Sequence, residues 1–292
     1  MMNIRSYAWM AATVLMLGSC AKNESGDRTP ERDKRIAIRT SIVQETTLME
    51  VASRAPQLDD TGRGDFANGD RFSLLSVTPS GQHTALKYEV GSQGLYWRDL
   101  QTAPQDRSVD FAACYPEQEL LDGKFVFDLE KTSDKDLLWA HRTGISVGTE
   151  TPIDLTFTHA MHTLVLNFTV ESTGLQSEEI QSTCTAESVC EVDLAAATLV
   201  STGAPKASFT ATGKKATFRI IPQKSSGVAL KVTAGSAVKE FNLSEVATEY
   251  EMLESGKILT VNLKIKDGRI QFEGCDIAGW EDQGTVEGEI IM

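Results

Sequence analysis

Gly144-Ile145-Ser146-Val147-Gly148 has the G-x-S-x-G spacing of a serine nucleophile elbow. That chemistry needs a strand, a strained turn and a helix, so that the hydroxyl stands exposed beside backbone donors. Pro152 and a strand-patterned run follow here, leaving no place for the helix. His159 and His162 form H-x-x-H. On a helix the two rings would share a face and could hold a metal, whereas on a strand residues three apart point to opposite sides. Their surroundings carry a strand pattern, so they read as structural histidines. His83 and His141 show no metal-type spacing. Asp59, Asp60, Asp65, Asn68 and Asp70 cluster around Arg63-Gly64-Asp65. A calcium loop needs oxygens at alternate positions, a central glycine and a terminal glutamate, and that spacing is absent. The Arg-Gly-Asp tripeptide resembles an integrin ligand but is common by chance, and a solvated inter-strand loop accounts for the segment. No phosphate loop or dinucleotide fingerprint occurs. These residues predict neither an enzyme nor a cofactor nor a metal site.

The five cysteines divide by position. Residues 1–19 combine Arg5 with an uncharged apolar run from Ala8 to Gly18. That run is too short to span a bilayer, which takes about 20 helical residues, and it fits a secretory signal peptide. It ends Leu17-Gly18-Ser19-Cys20, which resembles a bacterial lipobox. Cleavage between Ser19 and Cys20, with acylation of Cys20, would anchor the chain to a membrane; two or more acyl chains hold stably at ~0.8 kcal/mol per buried CH₂. Residues 20–35 are rich in charge, Gly and Pro and read as a flexible tether. Cys114, Cys184, Cys190 and Cys275 remain. An exported protein can oxidise them; Cys184 and Cys190 could close a hairpin loop, or all four could be buried thiols.

The residues behind these side chains alternate with a period of two. Ile36, Ile38 and Ile42 share one parity, as do Phe125, Phe127 and Leu129; Ile153, Leu155 and Phe157; Leu164, Leu166 and Phe168; Val228, Leu230 and Val232; and Leu259, Val261, Leu263 and Ile265. Each set puts apolar side chains on one sheet face and polar ones on the other. Turn signals such as Asn68-Gly69-Asp70, Asp122-Gly123 and Asp267-Gly268 separate them. The pattern predicts an all-β chain of β-sandwiches. Its length suits two, over residues 36–150 and 151–292, divided where Gly148-Thr149-Glu150-Thr151-Pro152 interrupts the pattern. A formal net charge of −13 over 292 residues argues against nucleic acid, whose phosphates need a basic footprint.

Several segments, in order, resemble the fimbrillin family of type V pilus subunits, anchors and related lipoproteins of anaerobic Gram-negative bacteria. They are Asn68-Gly69-Asp70-Arg71-Phe72, Asp110-Phe111-Ala112-Ala113-Cys114-Tyr115-Pro116, Asp136-Leu137-Leu138-Trp139-Ala140, and Leu155-Thr156-Phe157-Thr158-His159-Ala160-Met161 with Leu164–Phe168. Phe218-Arg219-Ile220-Ile221-Pro222-Gln223, Ser255-Gly256-Lys257 and Ile277-Ala278-Gly279-Trp280-Glu281-Asp282 complete the set. The resemblance implies two tandem transthyretin-like (Greek-key) sandwiches, with His159-Ala160 in the opening strand of the second. It implies an outer-membrane lipoprotein on the cell surface, a fimbrium component active in adhesion, whose partners are other pilus subunits. It further implies cleavage after an arginine behind the first strand, and filling of the vacated groove by a neighbour's strand. Arg54, before Ala55, is the best-placed arginine, and Arg39 the runner-up. Segment 284–292, with Val286, Gly288 and Ile290 on one parity, is either the donor or the last strand of the second sandwich. The competing expectation is a monomeric surface lipoprotein that binds host glycan or protein through loops bearing Tyr96, Trp97 or Trp139.

Overall fold

The computed structural model describes residues 30–43, 65–92, 94–132, 136–172, 174–203 and 205–279. Ser19, Cys20, Arg54, Ala55, Val286, Gly288 and Ile290 lie outside them. The chain is all-β. Its strands are β1 (Ile38–Ile42), β2 (Arg71–Val77), β3 (His83–Glu89), β4 (Ser108–Tyr115), β5 (Lys124–Asp128), β6 (Leu138–Ser146), β7 (Ile153–His159), β8 (His162–Val170), β9 (Ile180–Glu187), β10 (Val189–Asp193), β11 (Thr198–Ser201), β12 (Lys206–Thr212), β13 (Lys215–Ile220), β14 (Gln223–Lys224), β15 (Ala229–Ala234), β16 (Ala237–Asn242), β17 (Met252–Leu253), β18 (Lys257–Lys266) and β19 (Arg269–Gly279). The α-helix among the described residues, Leu243–Val246, is a single turn capped by Asn242.

Four sheets of three or more strands carry the fold: β1-β7-β6-β4-β2-β3, β11-β10-β5, β12-β9-β15-β16 and β13-β8-β18-β19. The two four-stranded sheets face each other across one apolar cluster. Leu164, Leu166, Val261 and Leu263 come from one side, and Ile180, Cys184, Leu230 and Val232 from the other. The six-stranded sheet is covered on both faces. Phe72, Leu74, Phe111, Leu155 and Phe157 pack with Trp97 on one. Leu75, Ala112 and Cys114 pack on Phe125, Phe127, Cys190 and Val192 of the three-stranded sheet on the other. β2 is therefore buried almost throughout, Ser73 and Ser76 included, and shows no alternation. The Asp122-Gly123 and Asp267-Gly268 turns have positive φ at both residues, which suits tight hairpins whose twist matches the strands.

Three strand pairings cross the expected division between residues 150 and 151. β7, expected to open a second sandwich, pairs with β6 and β1 in the six-stranded sheet. β5 pairs with β10, with Phe127 opposite Cys190. The passage from the first large sheet to the next falls instead at Ala160–Met161. Turn residues such as those at 148–152 mark a hairpin as readily as a linker, and here they join β6 to β7.

Candidate functional site

Among the described residues β1 is an edge strand, held on one side. It runs parallel to β7, with Ile38 opposite Ile153 and Ile42 opposite Phe157. Ile36 and Ile42 are buried in the cluster of the six-stranded sheet, and Ile38 is half-buried against it. The outward residues are polar. Arg39 reaches Asp154 at 3.6 Å and Ser41 donates to Thr156. The stretch before β1 is tied down by Ile36 N to Leu95 O at 2.9 Å, Trp97 N to Lys34 O at 3.1 Å and Arg35 to Ser92 O at 2.8 Å. Arg39, as expected of the runner-up cleavage position, lies within the strand.

Several contacts fix the six-stranded sheet to the outer face of the β13-β8-β18-β19 sheet. On that face Arg219, Thr163 and Ile258 stand in one row across three strands. At one end of the row, Asp136 Oδ2 lies 2.6 Å from His159 Nδ1 and accepts from Arg219 Nε at 3.0 Å. Arg219 also donates to Thr163 Oγ1 at 2.8 Å, and Leu137 N donates to Asp136 Oδ1. All three charged or ring side chains are nearly or wholly buried. Burial would raise the Asp136 carboxyl; the hydrogen bond from His159 and the charges of His159 and Arg219 outweigh it and hold the carboxyl below its usual value. Farther along the row, Val43 packs on Val165 and Ile258, while its N–H donates to Phe157 O at 2.9 Å. Ser255 Oγ to Ala160 O and Gly256 N to Met161 O complete the joint.

The other side chains singled out by spacing fall elsewhere. Ser146 ends β6 on the surface, and the next element is β7 rather than a helix. The four histidines are engaged away from Ser146: His83 stands by Asp122, His141 by Leu194 O, His159 by Asp136 and His162 by Glu254 O. His159 and His162 sit on successive strands in separate networks. Asp59, Asp60, Arg63 and Gly64 lie outside the described residues, and Asp70 is buried, accepting from Ala67 N in its turn. Trp97 is buried and donates to Thr149 O. Trp139 packs on the cluster of the three-stranded sheet, and Tyr96 lies under Arg98.

Cys184 and Cys190 are free, as are Cys114 and Cys275. The possible hairpin disulfide does not form, because β9 sends Cys184 into one cluster and β10 sends Cys190 into another. Burial pushes the thiols of Cys114, Cys184 and Cys190 up to about 12, leaving almost no thiolate at neutral pH. Native protein treated with a thiol reagent at pH 8 is expected to react first at half-buried Cys275, and at the other three only after unfolding. Equal rates at all four would contradict this packing.

His162 gives a pH prediction. Burial lowers its imidazole from 6.5 to about 4, so the native state holds it neutral while the unfolded chain protonates it sooner. The stability tied to that difference is complete above pH 6.5 and is lost as pH falls through 4, about 3 kcal/mol in all. Asp136, also lowered, adds in the same direction below the ordinary carboxylate range. Urea unfolding at pH 7 and pH 4 should show this loss in the native chain and a smaller one in His162→Gln.

A protein-family model described as fimbrillin-like matches residues 54–280. The chain belongs to the fimbrillin-like family. Among solved structures, a candidate cell adhesion protein from Bacteroides uniformis matches with a TM-score of 0.60 at 17% identity, covering 84% of this chain and 99% of its own. One from Bacteroides ovatus gives 0.60 at 16%, over 86% and 99%. One from Bacteroides thetaiotaomicron gives 0.50 at 17%, over 89% and 99%. At such identities the likeness is one of fold. No curated protein matches the chain. The fimbrillin-like segments scattered along the sequence meet in space. Asp136, His159 and Arg219 each come from a different one, and they close the joint that Ser255 and Gly256 complete.

Proposed function

We propose that this fimbrillin-like chain is a cell-surface structural protein, a pilus or adhesin component that assembles by β-strand exchange and has no catalytic role. The observation that carries this reading is β1, an edge strand that fills an apolar groove with Ile36, Ile38 and Ile42 and precedes Arg54 in the chain. Cleavage after Arg54 would let β1 leave. The open edge of β7 would then take a strand from another subunit, through backbone hydrogen bonds and alternate side-chain pockets. We read the two four-stranded sheets as one transthyretin-like sandwich, and the six-stranded sheet with its three-stranded cover as the other. Acylated Cys20 would hold the chain at the outer membrane until the cut, or permanently if the chain serves as an anchor. Trp97 and Trp139, two of the three aromatic residues that would favour a loop-borne site for a host ligand, are engaged in packing, which supports the structural reading over the binding one.

Substitution Arg54→Ala, followed by fractionation and imaging of surface fibres, tests it. Fibres should disappear from cells that depend on this chain, which should remain wholly in the lipid fraction. Normal fibres in Arg54→Ala cells would sink the proposal for a polymerising subunit.

A further inference from the structure

Among the described residues, β3 ends the six-stranded sheet at the side opposite β1. Its ladder with β2 fixes which backbone groups it leaves open. Val90 N donates to Asp70 O, and Thr78 N to Gln82 O. Antiparallel pairs alternate between bonded and non-bonded, so Thr84, Leu86 and Tyr88 bond to Ser76, Leu74 and Phe72. His83, Ala85, Lys87 and Glu89 therefore turn their N–H and C=O groups away from the sheet; of these, Glu89 O accepts from Ser92 N. The strand carries neither proline nor a bulge, two of the devices that keep an edge from pairing. Its lysine does not guard it either, since Glu117 and Glu119 hold the Lys87 ammonium at 2.7 and 2.6 Å. Beside the edge lies a cleft of about 360 Å³, lined by Leu86, Tyr88, Ser92, Gly94, Leu95 and Asp99.

This edge is complementary to itself. We propose that β3 pairs antiparallel with β3 of a second copy of this chain, about a two-fold axis at Leu86. Such a contact uses the same patch on both copies. His83 then faces Glu89 at both ends, Ala85 faces Lys87, and the outward N–H and C=O groups meet across each pair. On the face of the cleft, half-buried Leu86 meets Leu86 and Thr84 meets Tyr88. Charge and backbone direction select this register. A slip of one residue sets outward groups against inward ones. A slip of two sets Lys87 against Lys87 one way; the other way it sets Lys87 against His83 and leaves Glu89 beyond the strand. Like charges directly opposed weaken pairing. The contact is one strand wide, well below the ~1,200–2,000 Å² of a stable interface. Dilute chains are therefore monomers, and pairing belongs to copies held close together on one surface. It rests on the cell-surface reading but not on the cut. Because β1 and β3 are opposite edges, a subunit can exchange its first strand at one and pair sideways at the other.

Disulfide trapping on whole cells tests this, in the full-length Arg54→Ala, Cys275→Ser chain under mild oxidation. The first change removes the cut, and the second removes the half-buried native thiol. Leu86→Cys should give a disulfide-linked dimer, ~10-fold more than Ala85→Cys or Lys87→Cys alone. Leu86 faces its own copy within the bridging Cα range of about 4.4–6.8 Å, whereas the other two meet their copies only on the diagonal, at about 7–8 Å. Ala85 is exposed. Adding Ala85→Glu to Leu86→Cys should raise the yield by facing Lys87, and adding Ala85→Lys should lower it. Equal yields with either charge, or trapping that favours Ala85→Cys or Lys87→Cys, would overturn the register and with it the proposal. No dimer at any of the three positions, in chains recovered from the surface fraction, would overturn the pairing and leave the surface reading standing. Chains absent from the surface fraction would overturn both.

Discussion

Asp136→Ala should lower the unfolding free energy by about 3–5 kcal/mol, because it leaves two groups buried without their carboxylate. Arg219 and His159 both lie within hydrogen-bond distance of Asp136 Oδ2 and are almost or fully enclosed. Removing one partner of a buried pair costs far more than replacing both with apolar groups, since an uncompensated charge then stays out of water. The double variant Asp136→Leu with Arg219→Met should therefore recover most of the loss. Urea unfolding of the native chain, Asp136→Leu, Arg219→Met and the double variant, followed by far-ultraviolet circular dichroism and by fluorescence of Trp97 and Trp139, would measure the four corners of the cycle. Strictly additive effects would contradict a coupled network. A fluorescence transition that separates from the circular dichroism transition in Asp136→Ala would show the two halves uncoupling at the joint.

A chain beginning at Ala55 should, until its vacated groove takes up another strand, be nearly as badly destabilised. It lacks the buried side chains of Ile36 and Ile42 and the half-buried Ile38. At about 1.5–3 kcal/mol for a fully buried side chain, the loss is roughly 4–8 kcal/mol, a large share of the 5–15 kcal/mol that ordinarily holds a domain together. The edge of β7 and the pocket of Val165 and Ile258 would also open to water. Sedimentation should find this chain self-associated, and a synthetic peptide covering Ile36–Val43 should return it to a stable monomer. If the shortened chain were monomeric with the stability of the full one, β1 would not be the element that closes the groove.

The strand content is legible from alternation wherever a sheet has one wet or loosely covered face. Leu155 and Phe157 on β7, or Leu259 through Ile265 on β18, are buried on the parity their spacing predicts. The sequence is mute where both faces are covered: β2 and β4 read Phe-Ser-Leu-Leu-Ser-Val and Phe-Ala-Ala-Cys without a period. Pairing is less legible still. β1 joins β7 across more than a hundred residues, and β5 joins β10, so the turn-rich interruption at 148–152 suggests a boundary that the registers cross. Arg219 illustrates the difficulty at the joint. It alternates with Phe218 and Ile220 on what reads as a solvent face, yet that face is covered by the six-stranded sheet's end. The one local signal is Asp136 standing directly before the apolar run Leu137-Leu138-Trp139, a charge where burial is about to begin. Ile36, Ile38 and Ile42, by contrast, stand out as an inward row from their spacing alone, and the functional reading turns on them.

The most direct measurement is the N-terminal residue of this chain in material sheared from the cell surface. Cleavage behind β1 followed by strand exchange predicts chains that begin at Ala55, with the segment carrying Ile36–Val43 absent from the assembled fraction. Surface chains that all begin at acylated Cys20, with β1 still attached, would contradict it.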